Sequence, residues 1–183
     1  MGDGFRKLGE RVVHDGYLIT TVEATFADPS GETFERDIVH HPGAVSVVAV
    51  RDDGKVLLVR QYRAAVDRML LEIPAGKRDV DGEAPEVTAA RELEEEVGVR
   101  AGNLRKLVEF YNSPGFSDEY SYIFLGTELE PTESTAHGVE EENMTVETVA
   151  LDDVPRLIDA GELVDAKSII GLCLAREALA GNA

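Results

Sequence analysis

The distribution of apolar and polar residues along the chain predicts several short strands. In residues 17–41, runs of β-forming residues flank the sequence Asp-Pro-Ser-Gly, which is typical of the turn in a β-hairpin. Residues 44–50 and 55–63 are more continuously apolar and flank another turn, so they predict a second hairpin that is buried on both faces. Four further segments have strand-like composition: 70–74, 104–112, 119–129 and 144–151.

Apolar residues at helical spacing indicate helices in the second half of the chain. The first is predicted over residues 85–97, with Pro85 in its opening turn and Gly98 directly after its end. A short helix is predicted within residues 152–161 and a terminal one over 165–180. Strands combined with helices in irregular order, without an internal repeat, predict an α+β fold in the form of a compact sandwich.

The charge of the chain limits the classes of partner. With 18 basic and 36 acidic residues, the 183-residue chain carries a formal net charge of −18. Nucleic acids and anionic membranes bind basic surfaces, so neither is expected as a partner. No segment approaches the roughly 18 apolar residues of a membrane span. The first 16 residues lack the apolar region of a signal peptide, so we expect a cytoplasmic protein.

The predicted helix 85–97 carries a dense group of acidic residues near its end. Its segment RELEEEVG contains four glutamates within five positions. At about 100° per residue, Glu92, Glu95 and Glu96 fall together beside the apolar arc, whereas Glu94 projects elsewhere. Like charges one turn apart, and anions in the last turn, both destabilise a helix.

Two interpretations of these glutamates stay open at this point. A solvated acidic face would normally have basic residues four positions away. The only obvious pairs of that kind are Arg91 with Glu95 and Glu96 with Arg100. The other interpretation is a site for hard divalent cations, since Mg²⁺ binds through one or two carboxylates together with substrate phosphates.

Residues 75–99, AGKRDVDGEAPEVTAARELEEEVGV, resemble the signature of the Nudix hydrolases. That signature has a Gly, a Glu, seven further residues and then Arg-Glu-apolar-X-Glu-Glu-X-Gly-apolar. Here Glu83 is followed by seven residues and then by Arg91, and the pattern continues to Val99. The one departure is that six residues, instead of the usual five, separate Gly76 from Glu83. The resemblance implies an α/β/α sandwich with a mixed central sheet and an N-terminal antiparallel β-hairpin region.

The resemblance also implies a role for each matching position. Glu92 and Glu96 match the principal metal ligands of the family. Glu95 matches a third ligand, shared or water-mediated, and counts with the catalytic carboxylates. The backbone carbonyl of Ala75 would give another oxygen to the Mg²⁺ or Mn²⁺ that the resemblance implies as cofactor. The structural positions of the motif, which shape the loop and brace it against the helix, are Gly76, Glu83, Arg91 and Gly98.

The substrate is indicated by a second segment, SPGFSDE at residues 113–119. Pro114 follows Val99 by fifteen positions, which resembles the mark of the ADP-ribose pyrophosphatase subfamily, as do the segments LLEIPAGKRD and VRQYR. By this resemblance, ADP-ribose would be hydrolysed to AMP and ribose 5-phosphate. The substrate-binding positions are then Arg63, Arg60, Glu119, Pro114 and Gly115. Arg63 is the foremost phosphate contact because a guanidinium binds phosphate oxygens bidentately; the alternative for both arginines is a solvated strand edge.

The general base is sought in the acidic segment GVEEENM, residues 138–144, because the subfamily carries its catalytic glutamate on a loop there. Glu140 is the best positional match and Glu141 the second; the alternative is a merely solvated loop. Two other functions stay open, namely hydrolysis of GDP- or ADP-sugars and a non-catalytic nucleotide-sensing module. The intact glutamates of the motif favour an enzyme over the module.

The resemblance further implies a homodimer in which amino-terminal strands reach the partner's site. We accordingly predict an N-terminal β-hairpin region, residues 1–42, that serves dimerisation, followed by a Nudix hydrolase domain, residues 43–183. The remaining partner would be a small nucleoside diphosphate sugar.

Overall fold

A computed structural model describes residues 4–132 and 143–181. The strands in these ranges are β1 (Arg6–Asp15), β2 (Thr20–Ala27), β3 (Thr33–His40), β4 (Ala44–Val50), β5 (Lys55–Arg63), β6 (Arg68–Glu72), β7 (Ala75–Lys77), β8 (Val99–Tyr111), β9 (Tyr120–Pro131) and β10 (Thr145–Ala150). The helices are α1 (Pro85–Val97), α2 (Val154–Asp159) and α3 (Ala166–Ala180), with 3₁₀ turns at Ala64–Val66 and Leu151–Asp153.

The chain divides into two compact units. One comprises the residues up to Gly43 together with Phe110–Ser121, and the other comprises Ala44–Glu109 and the residues from Tyr122 onward. We call them the small unit and the large unit.

The small unit contains an antiparallel sheet with the strand order β1-β2-β3. The predicted hairpin between β2 and β3 is present, and its turn is fixed by Asp28, whose Oδ1 accepts the N–H groups of Ser30 and Glu32 at 2.8 Å each. Strand β1 was not predicted from the sequence. Every residue of β1 is exposed, so it has no apolar alternation to reveal it, and it forms by pairing with β2.

The large unit is built on a sheet in which the strand order is β10-β5-β4-β9-β8, with β6 paired to β5 and β7 paired to β4. On one face, Ala89 and Leu93 of α1 pack in a buried cluster with Val45, Val47 and Phe124. On the other face, α3 approaches so closely at Gly171 that a Cβ there would lie 3.0 Å from Val48 Cγ2. Helices thus cover both faces, and the predicted α+β sandwich is confirmed.

The short strand β7 was also not predicted from the sequence. Three residues after Pro74 are too few to show a period, yet they pair with the start of β4, with Ala75 opposite Ser46.

Within the described ranges, no helix is long and apolar enough to cross a membrane.

Candidate active site

Helix α1 has the bounds that its sequence predicts. Pro85 occupies the first helical position, where its missing N–H is not needed. Gly98 ends the helix in the left-handed conformation, with φ of 65°, and donates its N–H to the carbonyl of Glu94. A residue with a Cβ is strained in that conformation, which explains a glycine at this point.

The acidic side of α1 faces the backbone of β7. Glu96 is only 7% exposed, and its Oε2 accepts the N–H of Ala75 at 2.9 Å. Glu92 lies directly over Gly76, where a Cβ would stand 1.9 Å from Glu92 Cδ. The spacing of the two glutamates by one turn therefore aligns them with consecutive residues of the strand.

Arg91 holds the neighbouring carboxylates in this arrangement. Its Nη1 lies 2.9 Å from Glu92 Oε1 and 2.8 Å from Glu95 Oε2. Its Nη2 is 3.8 Å from Glu83 Oε2, a distance too long for a hydrogen bond. Glu83 instead accepts the hydroxyl of Thr88 at 2.7 Å, so Glu83 braces the loop chiefly through the first turns of α1.

Arg100 does not pair with Glu96, the glutamate four positions before it in the sequence. Arg100 donates from Nε and Nη2 to the two oxygens of Glu94, at 2.8 and 3.1 Å. The helix ends at Gly98, so Arg100 lies on β8 and is no longer one helical turn from Glu96. Glu96 therefore lies on the buried side of α1. Glu94 pairs with Arg100 and is separate from the group formed by Glu92, Glu95 and Glu96.

The chemistry of these side chains fits a divalent cation. Burial, and next the charge of Glu95, raise the pKa of Glu92 to about 7 against the opposing charge of Arg91. A cation beside Glu92 and Glu96 would remove this penalty, and carboxylate and carbonyl oxygens are the donors that Mg²⁺ prefers. In the described residues, no three His, Cys, Asp or Glu side chains converge on one point. Arg91 bridges Glu92 and Glu95.

The two arginines predicted to contact phosphate both end in bidentate ion pairs within the large unit. Arg60 donates to Glu147 from Nε and Nη2, at 2.5 and 3.2 Å. Arg63 donates to Glu72 from the same two nitrogens, at 2.8 and 2.6 Å. Glu72 was not singled out from the sequence, although a carboxylate within the apolar segment LLEIP indicates a buried group that needs a cation.

The remaining predicted substrate residues lie in the small unit. Pro114 and Gly115 form a turn in which the N–H groups of Phe116 and Ser117 bond to the carbonyl of Ser113. Glu119 follows, half-buried, and donates its N–H to Ser117 Oγ at 3.2 Å. Glu140 and Glu141 lie outside the described residues.

Two histidines without an assigned role in the sequence hold this turn in place. His40 Nδ1 lies 2.5 Å from Asp118 Oδ2, and its Nε2 lies 3.1 Å from Glu10 Oε2. The backbone N–H of His41 bonds to the other oxygen of Asp118 at 2.9 Å. The cluster thus joins β1, the end of β3 and the turn, and no local pattern could reveal it because its members are far apart in sequence.

We expect this pairing to make the stability of the protein depend on pH. The hydrogen bond to Asp118, and then the one to Glu10, raise the pKa of His40 above its usual 6.5. A pKa raised by folding gives a stabilisation that is complete below the unfolded pKa and is lost as the pH rises through the folded pKa. The variant His40→Gln should therefore unfold about 1–3 °C lower than wild type near pH 5.5, and by a smaller margin near pH 9.

The measurement is thermal unfolding by circular dichroism across this pH range. At acid pH the stabilisation by His40 is limited by protonation of its partner Asp118. Burial opposes the ionisation of Asp118, but hydrogen bonds from His40 and His41 lower its pKa. The matched control is His14→Gln, because His14 forms no ion pair with any described residue. A loss of stability in His40→Gln that is equally large near pH 9 would contradict the assignment.

Comparison with known proteins gives consistent matches over most of the chain. The model of the NUDIX domain matches residues 40–170. An ADP-ribose pyrophosphatase of Bacillus subtilis (strain 168) is 47% identical over 163 residues, covering 89% of this chain and 88% of the relative. One from Mycobacterium tuberculosis is 37% identical over 168 residues, covering 92% and 81%.

Other matches have different names. A GDP-mannose pyrophosphatase of Enterobacter sp. (strain 638) is 34% identical over 172 residues, covering 88% of this chain and 89% of the relative. Among solved structures, one described as an ADP compounds hydrolase superposes with a TM-score of 0.85 at 24% identity, covering 98% of this chain and 96% of that one. At this identity the superposition shows the fold.

Proposed function

The chain belongs to the NUDIX domain family, and from this premise we propose that it hydrolyses ADP-ribose to AMP and ribose 5-phosphate with the help of Mg²⁺ or Mn²⁺. It is a Nudix hydrolase, an enzyme that acts on the diphosphate of a nucleoside diphosphate linked to another group. The observation that carries the choice of ADP-ribose is the 47% identity to the relative named ADP-ribose pyrophosphatase.

A second substrate class, the GDP-sugars, is supported by relatives named GDP-mannose pyrophosphatase. These relatives match nearly the same length of chain at lower identity. The experiment that separates the two is hydrolysis of ADP-ribose, GDP-mannose and ADP-glucose with Mg²⁺, with the products identified by chromatography. We expect AMP from ADP-ribose at the highest kcat/KM. Preference for GDP-mannose would favour the second class, and no hydrolysis at all would favour the nucleotide-sensing module.

The residues of α1 and β7 would hold the metal in this proposal. Glu92, Glu96 and the carbonyl of Ala75 would be its ligands, and Glu95 would be the third carboxylate. The bound metal would supply charge neutralisation on the diphosphate and a lowered pKa for an attacking water. It would also overcome the repulsion between a strongly acidic protein and its anionic substrate.

The protein's own groups would orient the substrate and accept a proton. Arg63 would contact a phosphate, since its side chain is 40% exposed while its partner Glu72 is buried. Arg60 is the weaker candidate of the two. The predicted contacts of Pro114, Gly115 and Glu119 rest on the resemblance of SPGFSDE to the subfamily.

Glu140→Gln is expected to lower kcat about 100-fold with less than a threefold change in KM, because a general base acts in the chemical step. Steady-state kinetics of Glu140→Gln and Glu141→Gln, measured side by side, check this. The amide keeps the size of the side chain but cannot accept the proton. If Glu141→Gln alone shows the loss in kcat, the base is Glu141.

We further propose a homodimer that forms through the N-terminal region, residues 1–42, with residues 43–183 as the hydrolase domain. Strand β1 supports this, because it lies at the edge of its sheet and exposes Leu8, Val12 and Val13 by more than half. Light scattering should give twice the chain mass of 19.9 kDa, and a mass of one chain would contradict it. The cytoplasm stays the expected location.

A further inference from the structure

The guanidinium of Arg63 is held from its inner side by a buried carboxylate. Arg63 is the last residue of β5, and its Nε and Nη2 donate to Oε1 and Oε2 of Glu72. The Glu72 side chain is 1% exposed and that of Arg63 is 40% exposed. Among the described residues, Nη1 of Arg63 has no hydrogen-bond partner. The pair therefore fixes two nitrogens and leaves the third available to a ligand.

Helix α3 supplies a second cation to the same carboxylate. Nζ of Lys167 donates to Oε2 of Glu72 and, at 2.9 Å, to Oδ2 of Asp165. That Asp165 oxygen also caps α3 by accepting the N–H of Ser168 at 3.0 Å. The hydroxyl of Ser168, which is fully buried, accepts the N–H of Ile73 at 2.9 Å. Because Ile73 follows Glu72, the start of α3 is fastened to the chain beside the ion pair.

The charges of this group keep Glu72 ionised. Burial by itself would raise the pKa of Glu72, but the hydrogen bond from Arg63 and the charge of Lys167 outweigh burial and lower the pKa. A buried carboxylate with two cationic donors is a rigid acceptor, because moving either donor away would leave charge without a partner.

The same pair keeps the Arg63 guanidinium charged. The hydrogen bond to Glu72 raises the pKa of Arg63 against the opposing effect of burial. The guanidinium at the end of β5 therefore stays a cation, as a contact with a phosphate requires.

We propose that Glu72 and Lys167 are positioning residues that hold Arg63 in place for the diphosphate of the substrate. The inference rests on the proposed function, in which Arg63 contacts a phosphate. Glu72 fixes the guanidinium through two hydrogen bonds, and Lys167 keeps Glu72 ionised and in place. Both residues act through Arg63 and do not touch the substrate.

The test is a double-mutant cycle that combines Glu72→Gln with Arg63→Ala. Glu72→Gln alone is expected to lower kcat/KM about 10- to 100-fold, mainly through a higher KM, as for the loss of a charge-assisted hydrogen bond. In the Arg63→Ala background the same change should lower kcat/KM by less than about twofold, because its target is gone.

A second cycle keeps the test decisive if the buried Glu72 variant folds poorly. Lys167→Gln should lower kcat/KM in the same direction and Lys167→Arg should restore most of it, with folding followed by circular dichroism. The matched control is Glu94→Gln, which removes another bidentate pair, the one with Arg100. This control should change kcat/KM by less than about twofold, since the Arg100 side chain is 64% exposed and exposed ion pairs contribute little.

Equal losses from Glu72→Gln or Lys167→Gln in both Arg63 backgrounds would overturn the proposal, and so would full activity of Arg63→Ala. Failure of the proposed function has a different outcome. In that case the wild type does not cleave ADP-ribose, and the cycle is measured with whichever nucleotide sugar the panel shows to be hydrolysed.

Discussion

Glu96→Gln and Glu92→Gln are each expected to lower kcat about 1,000-fold, since losing several kcal/mol of metal-based charge stabilisation changes the rate by that order. The folded state should survive both changes. The amide oxygen of a glutamine at 96 can still accept the Ala75 N–H, which Glu96 accepts at 2.9 Å. At position 92, where burial raises the pKa of the carboxylate to about 7, a neutral side chain avoids the desolvation penalty.

Two measurements separate a lost metal ligand from a damaged fold. Steady-state kinetics give kcat, and thermal unfolding with and without Mg²⁺ gives the stabilisation by the cation, which both variants should lose. Glu94→Gln is the matched control on the same helix and should keep both activity and the metal-dependent shift. Near-normal turnover in both Glu92→Gln and Glu96→Gln would remove the metal-site assignment.

Gly76→Ala should lower activity nearly as much as Glu92→Gln although it adds only a methyl group. The new Cβ would stand 1.9 Å from Cδ and 2.3 Å from Oε1 of Glu92, so the carboxylate must leave its place over β7. The obstructing atoms are the end of a flexible side chain, and Glu92 can turn away at little cost in stability. We therefore expect a loss in kcat approaching 1,000-fold with a decrease in Tm of only about 2–4 °C.

The matched control for this change is Gly181→Ala, where the added Cβ would meet its nearest neighbour, Glu177 O, at 3.6 Å. It should leave both kcat and Tm close to those of the wild type. A large fall in Tm of Gly76→Ala with a proportionate loss of activity would show that Gly76 matters for folding, and that its contact with Glu92 is not the cause.

The elements most completely predicted from the sequence are those fixed by local chemistry. Helix α1 has its predicted bounds, Pro85 to Val97, because proline favours the first turn and Gly98 supplies the left-handed end. Strands β4 and β5 also have their predicted bounds, since two-sided burial makes each a continuous apolar run. The grouping of Glu92, Glu95 and Glu96 on one side of a helix follows from helical periodicity alone.

The sequence did not reveal the contacts whose partners lie on other elements. Strand β1 has no buried face, so only its pairing with β2 identifies it. Arg100 contacts Glu94 because the chain turns at Gly98, whereas helical spacing pointed to Glu96. Glu72 and Lys167 are 95 residues apart, and no sequence pattern relates them.

The sequence by itself therefore determined the family and the acidic helix, and it indicated a divalent cation. Those properties depend on the identity of residues and on spacing within one turn of a helix. Only the tertiary structure decided which charges meet: that Glu96 accepts from Ala75, that Glu92 lies over Gly76, and that Arg63 is held by Glu72. Contacts between distant segments depend on how the sheet brings β5, β6, β7 and α3 together, and their geometry is fixed only when the whole core has packed.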